Sequence, residues 1–146
     1  MTGPWRLWMP LATRRRRVMA EAVVDASAIV DLLLDNDLGA AVRRRIAGHV
    51  LLAPAHIDAE VLSALGRLHR AGELEAESVE SRLRELAEAP IQRHPVTELL
   101  LGAWARRPQL RLVDALYVEL AVSRGLPLVT TDRRLHVAPS ADVVIT

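Results

Sequence analysis

Cysteine, lysine and phenylalanine are all missing from the chain. Without cysteine there is no disulfide, no thiol nucleophile and no thiolate-bound zinc, and a cytoplasmic setting fits that lack. Without lysine, whole families of lysine-dependent chemistry drop out, because all 19 basic residues are arginine. No apolar run approaches the ~20 residues that span a bilayer, so no membrane partner is expected. What is present is a hydrophobic fraction of 51%, mostly alanine, valine and leucine, in 146 residues. That composition builds one globular domain around a single core.

The charge is unevenly divided. Residues 1–18 hold five arginines and no acid, while the rest holds 14 arginines against 18 acids, so a net +1 hides a basic head on an acidic body. The head has no assignable periodicity. Its basic cluster is followed by a short apolar stretch that Glu21 interrupts, unlike a secretory leader. Residues 1–20 are therefore expected to be a basic, unstructured extension, or sequence upstream of a start at Met19, in front of a domain over 21–146. The alternative is an arginine-rich arm that touches nucleic-acid phosphates.

From Ala22 the pattern becomes regular. Ala22–Val24 and Val50–Leu52 are short apolar runs of the kind found in buried parallel strands, the second closed by Ala53-Pro54. Ser27 is a candidate N-cap for a helix carrying Ala28 to Leu34. Gly39–Ile46 reads as a second helix stopped at Gly48. Ile57, Val61, Leu62, Leu65 and Leu68 recur at helical spacing up to Gly72. Leu74–Ala89 is an amphipathic helix stopped by Pro90, and the acids in and just before it, Glu73, Glu75, Glu77, Glu80 and Glu85, read as a solvated face. Ile91–His94 predicts a third strand, Val96–Arg106 a helix, and Leu112–Arg124 a helix ending at Gly125. Leu126–Thr130 and Val143–Ile145 predict the last two strands. Strands alternating with helices give one three-layer α/β/α sandwich on a mainly parallel sheet.

Four acids stand out. In such folds sites form at the carboxyl ends of strands, and Asp25 and Asp132 each follow an apolar strand directly. Either could equally be a helix cap or turn residue. Glu60 borders the apolar stripe of its helix, and Asp114 shares a face with Tyr117 and Ala121. A carboxylate beside a buried face is costly unless compensated; pairing with Arg67 or Arg111 is the plainer explanation for these two. Gathered in one cleft, four carboxylates repel one another unless a cation neutralises them, and Mg²⁺ suits hard oxygen donors. The five histidines show no ligand spacing.

Four segments in order resemble the PIN-domain ribonucleases, in particular the VapC toxins of bacterial toxin–antitoxin pairs. They are VVDASAIVDL from Val23, EVLSAL from Glu60 with Gly72-Glu73-Leu74 after it, DALYVELA from Asp114, and PLVTTDRRL from Pro127. The resemblance implies a PIN-like fold and Mg²⁺-dependent (or Mn²⁺-dependent) endonucleolytic cleavage of RNA. Asp25, Asp114 and Asp132 would be metal ligands, and Glu60 a ligand or the organiser of a water. Ser27 and Thr130 would be hydroxyls bonded to the carboxylates or that water. It further implies a small VapB-type antitoxin, whose arginine enters the acidic cleft, and a homodimer through helices between Leu74 and Trp104. Arg133, Arg134 and Arg43–Arg45 are candidates for RNA phosphates. Ser63 departs from the asparagine common at its place, and Val113 from an aromatic.

Rivals fare worse. A haloacid-dehalogenase-like phosphatase needs a second aspartate where Ser27 stands, and both it and a phosphorylatable receiver domain need a lysine. A PIN-like module that binds RNA or protein without cutting it remains the alternative from a different class.

Overall fold

The computed structural model describes Trp5 and residues 19–145. Five strands, β1 (Glu21–Val24), β2 (Val50–Pro54), β3 (Ile91–His94), β4 (Leu128–Thr130) and β5 (Ala141–Val143), form one all-parallel sheet in the order β3-β2-β1-β4-β5. Six helices flank it: α1 (Ala26–Leu34), α2 (Asp37–Ile46), α3 (Ile57–Arg70), α4 (Ala76–Glu88), α5 (Leu100–Ala105) and α6 (Leu112–Arg124). The expected three-layer α/β/α sandwich is the fold. Ala22, Val23, Val24, Leu51, Leu52, Leu128 and Val129 are fully buried, as strands covered on both faces must be.

The strand order positions the site. From β1 the chain steps outward to β2 and β3, then crosses to β4 on the other side of β1. Connections that leave a strand in opposite directions open a crevice at its carboxyl end. The residues that follow β1 and β4 therefore face each other across that opening.

Several boundaries differ from the sequence reading. The Val96–Arg106 helix begins as a 3-10 turn, Val96–Leu99, behind Pro95 and only then becomes α5. A second 3-10 turn, Arg133–Val137, has no counterpart among the predicted elements, but Asp132 caps it, the cap or turn role that the sequence held open for that residue. The last strand lies at Ala141–Val143, before most of the apolar Val143–Ile145 run. As an edge strand it is only half-buried, and Arg45 of α2 pairs with Asp142 in it at 2.5 Å. Glu85 departs from the solvated face predicted for its helix: it is half-buried, and burial raises its carboxyl above the usual range.

Of the basic head, Trp5 alone is described. It is fully buried and its indole N–H donates to the Glu85 carbonyl at 2.8 Å. The rest of the segment expected to be an extension lies outside the described residues up to Val18.

Two tight junctions hold the helices that carry the site. Arg93 of β3 donates to both Asp58 oxygens, at 2.8 and 2.9 Å, and to the carbonyls of Leu86, Ala89 and Ile91. One guanidinium thus caps the end of α4 and fixes the first turn of α3, where Glu60 lies. At the other junction α1 ends on Asp35 in the left-handed region (φ 53°), and Asn36 caps α2 by accepting from Gly39 N–H at 2.7 Å.

Gly39 sits against the α1 backbone: a Cβ there would lie 2.1 Å from the Asp31 carbonyl oxygen. Alanine normally stabilises a helix relative to glycine by about 1 kcal/mol, but here the overlap is with main chain. Gly39→Ala is expected to lower stability by about 2–3 kcal/mol in urea unfolding; an unchanged or raised midpoint would show that the two helices have room to part.

Candidate functional site: an acidic cleft at the carboxyl edge

Asp25 follows β1 and is 5% exposed. It, not Ser27, is the N-cap of α1: its Oδ1 accepts from Ala28 N–H at 3.0 Å and from Ser27 Oγ at 2.7 Å. Thr130, fully buried at the end of β4, donates to the other oxygen at 2.5 Å. Ser27 Oγ and Thr130 Oγ1 lie 3.2 Å apart, and Thr130 in turn accepts from Asp132 N–H at 3.0 Å. The short apolar strands bring two chain segments a hundred residues apart into one hydrogen-bonded unit around a single carboxylate.

The other acids reach the same place from helices and turns. Asp132 follows Thr131 and caps the second 3-10 turn by accepting from Arg134 N–H at 2.9 Å. Asp114 lies in the first turn of α6, and Glu60 in the first turn of α3. All four line one cleft of about 300 Å³ together with Ser27, Asp31, Arg67, Arg111, Tyr117 and Arg134.

Each carboxylate is engaged by its own chain. Arg111 Nε donates to Asp114 Oδ2 at 3.0 Å, and Arg134 grips both oxygens of Asp132, with the shortest contact at 2.7 Å. Tyr117 OH donates to Glu60 Oε1 at 2.7 Å, and His56 Nε2 lies 2.9 Å from the same oxygen. As the side chains stand, no three or more His, Asp or Glu groups among the described residues are arranged to hold a metal ion. The donor set is nonetheless hard oxygen throughout, which is what Mg²⁺ or Mn²⁺ prefers.

The PIN-domain family signature matches residues 22–140. The chain is 56% identical over 126 residues to ribonuclease VapC3 of Mycobacterium tuberculosis H37Rv, covering 85% of this chain and 92% of that protein. The chain belongs to the PIN-domain family, in its VapC group. Among solved structures, PAE2754 from Pyrobaculum aerophilum superposes with a TM-score of 0.61 at 29% identity, covering 84% of this chain and 82% of that one. A toxin–antitoxin complex from Klebsiella pneumoniae gives the same TM-score at 17% identity, covering 84% and 97%, a likeness of fold alone.

Within this PIN domain the electrostatics divide the acids. Burial pushes the Asp25 carboxyl up to about 6, against the hydrogen bonds from Thr130, Ala28 and Ser27, and the Asp132 charge adds to the rise. The hydrogen bond to Arg134 holds Asp132 below its ordinary range. Burial raises Glu60, but its contacts with His56 and Tyr117 outweigh it and leave the carboxyl lowered. Asp25 is thus the acid with too little positive charge beside it, and a cation in the cleft would relieve it.

Pairing of Asp114 with Arg111 follows the plainer sequence expectation; that of Glu60 with Arg67 does not, because Arg67 bonds Ser63 instead. Of the candidate phosphate-binding arginines only Arg134 lines the cleft; Arg43 pairs with Asp35 and Arg45 with Asp142. Sequence reasoning missed Asp31, which accepts from Thr131 Oγ1 at 2.6 Å and lines the cleft, and the Tyr117–His56 pair around Glu60. His56, the residue just before α3, and Glu60 stand four apart in the chain, and that spacing was the available signal.

A carboxyl whose pKa rises on folding favours the native state at low pH. Stability from Asp25 is therefore full below pH ~4, is lost progressively as pH rises through 6, and is absent above it, on the order of 3 kcal/mol in all. Asp25→Asn keeps the cap and removes the charge. In EDTA this variant should melt above wild type at pH 7.5, with the gap closing toward pH 4; a gap that is constant or reversed across that range would show that Asp25 is not the strained charge.

Proposed function

We propose that this PIN domain is a divalent-metal-dependent endoribonuclease that acts as the toxin of a VapBC-type toxin–antitoxin pair. The observation that carries this reading is the convergence of Asp25, Glu60, Asp114 and Asp132, from four separate segments, on one cleft at the carboxyl edge of the sheet. Similarity to proteins named as ribonucleases supports the same conclusion.

Mg²⁺, or Mn²⁺ in its place, would be held by Asp25, Asp114 and Asp132, with Glu60 as a further ligand or as the group that orients a water. When bound, such an ion polarises a phosphodiester, offsets charge on the leaving oxygen and lowers the pKa of an attacking water. The chain's own residues set the conditions. Thr130 and Ser27 aim the Asp25 carboxylate by hydrogen bonding both oxygens. Glu60, held ionised, can accept a proton from water at the cleft. Arg111 and Arg134 are about two-thirds exposed at the mouth. Once they leave Asp114 and Asp132 they are placed to meet RNA phosphates, for which the guanidinium fork is well shaped. Arg67 lines the same mouth.

The partners follow from the family. A small VapB-type antitoxin is expected to block the cleft, with an arginine replacing one of the pairs that Arg111 or Arg134 makes. A homodimer is expected through the exposed apolar residues Leu100, Leu101 and Trp104 of α5, within the Leu74–Trp104 stretch. No helix among the described residues is long and apolar enough to cross a membrane.

Incubation of defined RNAs with the purified protein tests the reading. Cleavage is expected with Mg²⁺ and none with EDTA, and Asp25→Asn and Asp114→Asn should each lower the rate at least 100-fold while RNA is still bound. RNA that is bound but never cut, under any divalent ion, would favour the non-cleaving module. Cleavage that survives EDTA or Asp25→Asn would overturn the mechanism.

A further inference from the structure

Tyr117 is 1% exposed and lies on α6 three residues after Asp114. A phenylalanine would fill the same space, yet a hydroxyl is present and is fully used. It donates to Glu60 Oε1 at 2.7 Å, and the Ala26 amide, unpaired within its own helix because it opens α1, is hydrogen-bonded to it.

His56 approaches from the other side. It precedes α3, one turn before Glu60, and its Nε2 stands 2.9 Å from the same Oε1, a contact of distance and not of hydrogen-bond alignment. Its ring centroid is 4.7 Å from that of Tyr117, tilted by 45°. Oε1 is therefore held from two directions, and no hydrogen bond among the described residues engages Oε2. A glutamate has three rotatable bonds, and without such a clamp its carboxylate would be spread over several positions in the cleft.

We infer that Tyr117 is a positioning residue: its hydroxyl, backed by the His56 ring, locks Glu60 through Oε1 and reserves Oε2 for the chemistry of the acidic cleft. The inference rests on the reading of that cleft as a metal-dependent ribonuclease site. It ties the helix that carries Asp114 to the helix that carries Glu60 and to the first residue after Asp25, so one buried hydroxyl sets the spacing of three of the four acids. Partners that orient a functional carboxylate commonly matter 10- to 100-fold for activity or metal affinity.

The test is a cycle of Tyr117→Phe, Glu60→Gln and the double variant, with all assays run 20 °C below the lowest melting midpoint. For Tyr117→Phe the single-turnover rate on a saturating RNA that wild type cuts should fall about 10- to 100-fold, while the Kd for that RNA stays within twofold. Its Mn²⁺ affinity, read by electron paramagnetic resonance without RNA, should weaken in the same variant. Tyr117→Phe should add nothing in the Glu60→Gln background, since a residue that acts through another has no effect once the other is gone. Additive losses in the double variant, or a Tyr117→Phe protein within twofold of wild type in both rate and Mn²⁺ affinity beside an impaired Glu60→Gln, would sink the inference and leave the ribonuclease reading intact. A Glu60→Gln protein that is itself unimpaired would overturn the role of Glu60, and the inference with it.

Discussion

The structure is arranged around the cost of one buried carboxylate. Asp25 sits where β1 ends and α1 begins, nearly out of reach of solvent, and is met by two hydroxyls and one helix amide but, among the described residues, by no cationic side chain. Neutral donors ease the burial of a charge without cancelling it, and a carboxyl raised to about 6 is the residue of that cost. The sheet order makes the placement unavoidable. β4 must lie beside β1 for Thr130 to reach Asp25, and the chain can lie there only by reversing direction after β3. Topology and electrostatics therefore settle on the same point, the crevice between the ends of β1 and β4.

Much of this was legible in the sequence because its causes are local. Apolar runs of three to five residues between helical stretches are what a doubly covered parallel sheet requires, and Val23–Val24, Leu51–Leu52 and Leu128–Val129 carry that signal openly. Asp25 and Asp132 were visible as acids set directly after such runs. Glu60 and Asp114 were not visible in this way, because a helical acid beside an apolar stripe has many explanations, and the order of four family segments was needed to single them out. The edge strand was misplaced because Asp142, paired with Arg45, interrupts the apolar run from which a strand is read. In the sequence Tyr117 stood out only as sharing a helix face with Asp114; its hydroxyl acquires meaning only from a contact between residues 57 positions apart in the chain.

The cleft acids fall into two kinds. Asp25 and Glu60 each have, besides local contacts, a long-range uncharged donor: Thr130 is 105 residues from Asp25, and Tyr117 is 57 from Glu60. Those contacts form only when the whole domain folds, so the two carboxylates are fixed as firmly as the core. Asp114 and Asp132 are instead held by arginines three and two residues away, which form their pairs from the same turn of chain. Pairs of this exposed, local sort are worth about 1 kcal/mol or less, and a competing ion or phosphate can displace them.

This division fits what a nuclease cleft must do. A pocket that concentrates negative charge repels RNA, a polyanion, until a cation enters it. Arginines that neutralise Asp114 and Asp132 within the free protein lower that internal repulsion. The same groups, once displaced, would remain tethered at the rim, where the proposed reading puts the phosphates of a bound strand. A chain with no lysine is suited to this exchange, since only the guanidinium offers two parallel donors to a carboxylate and then to a phosphate in the same geometry. On the proposed reading, Asp25 and Glu60 would keep the cleft's shape while Asp114 and Asp132 changed partners, so that metal entry and the presentation of positive charge to RNA would be two consequences of one displacement.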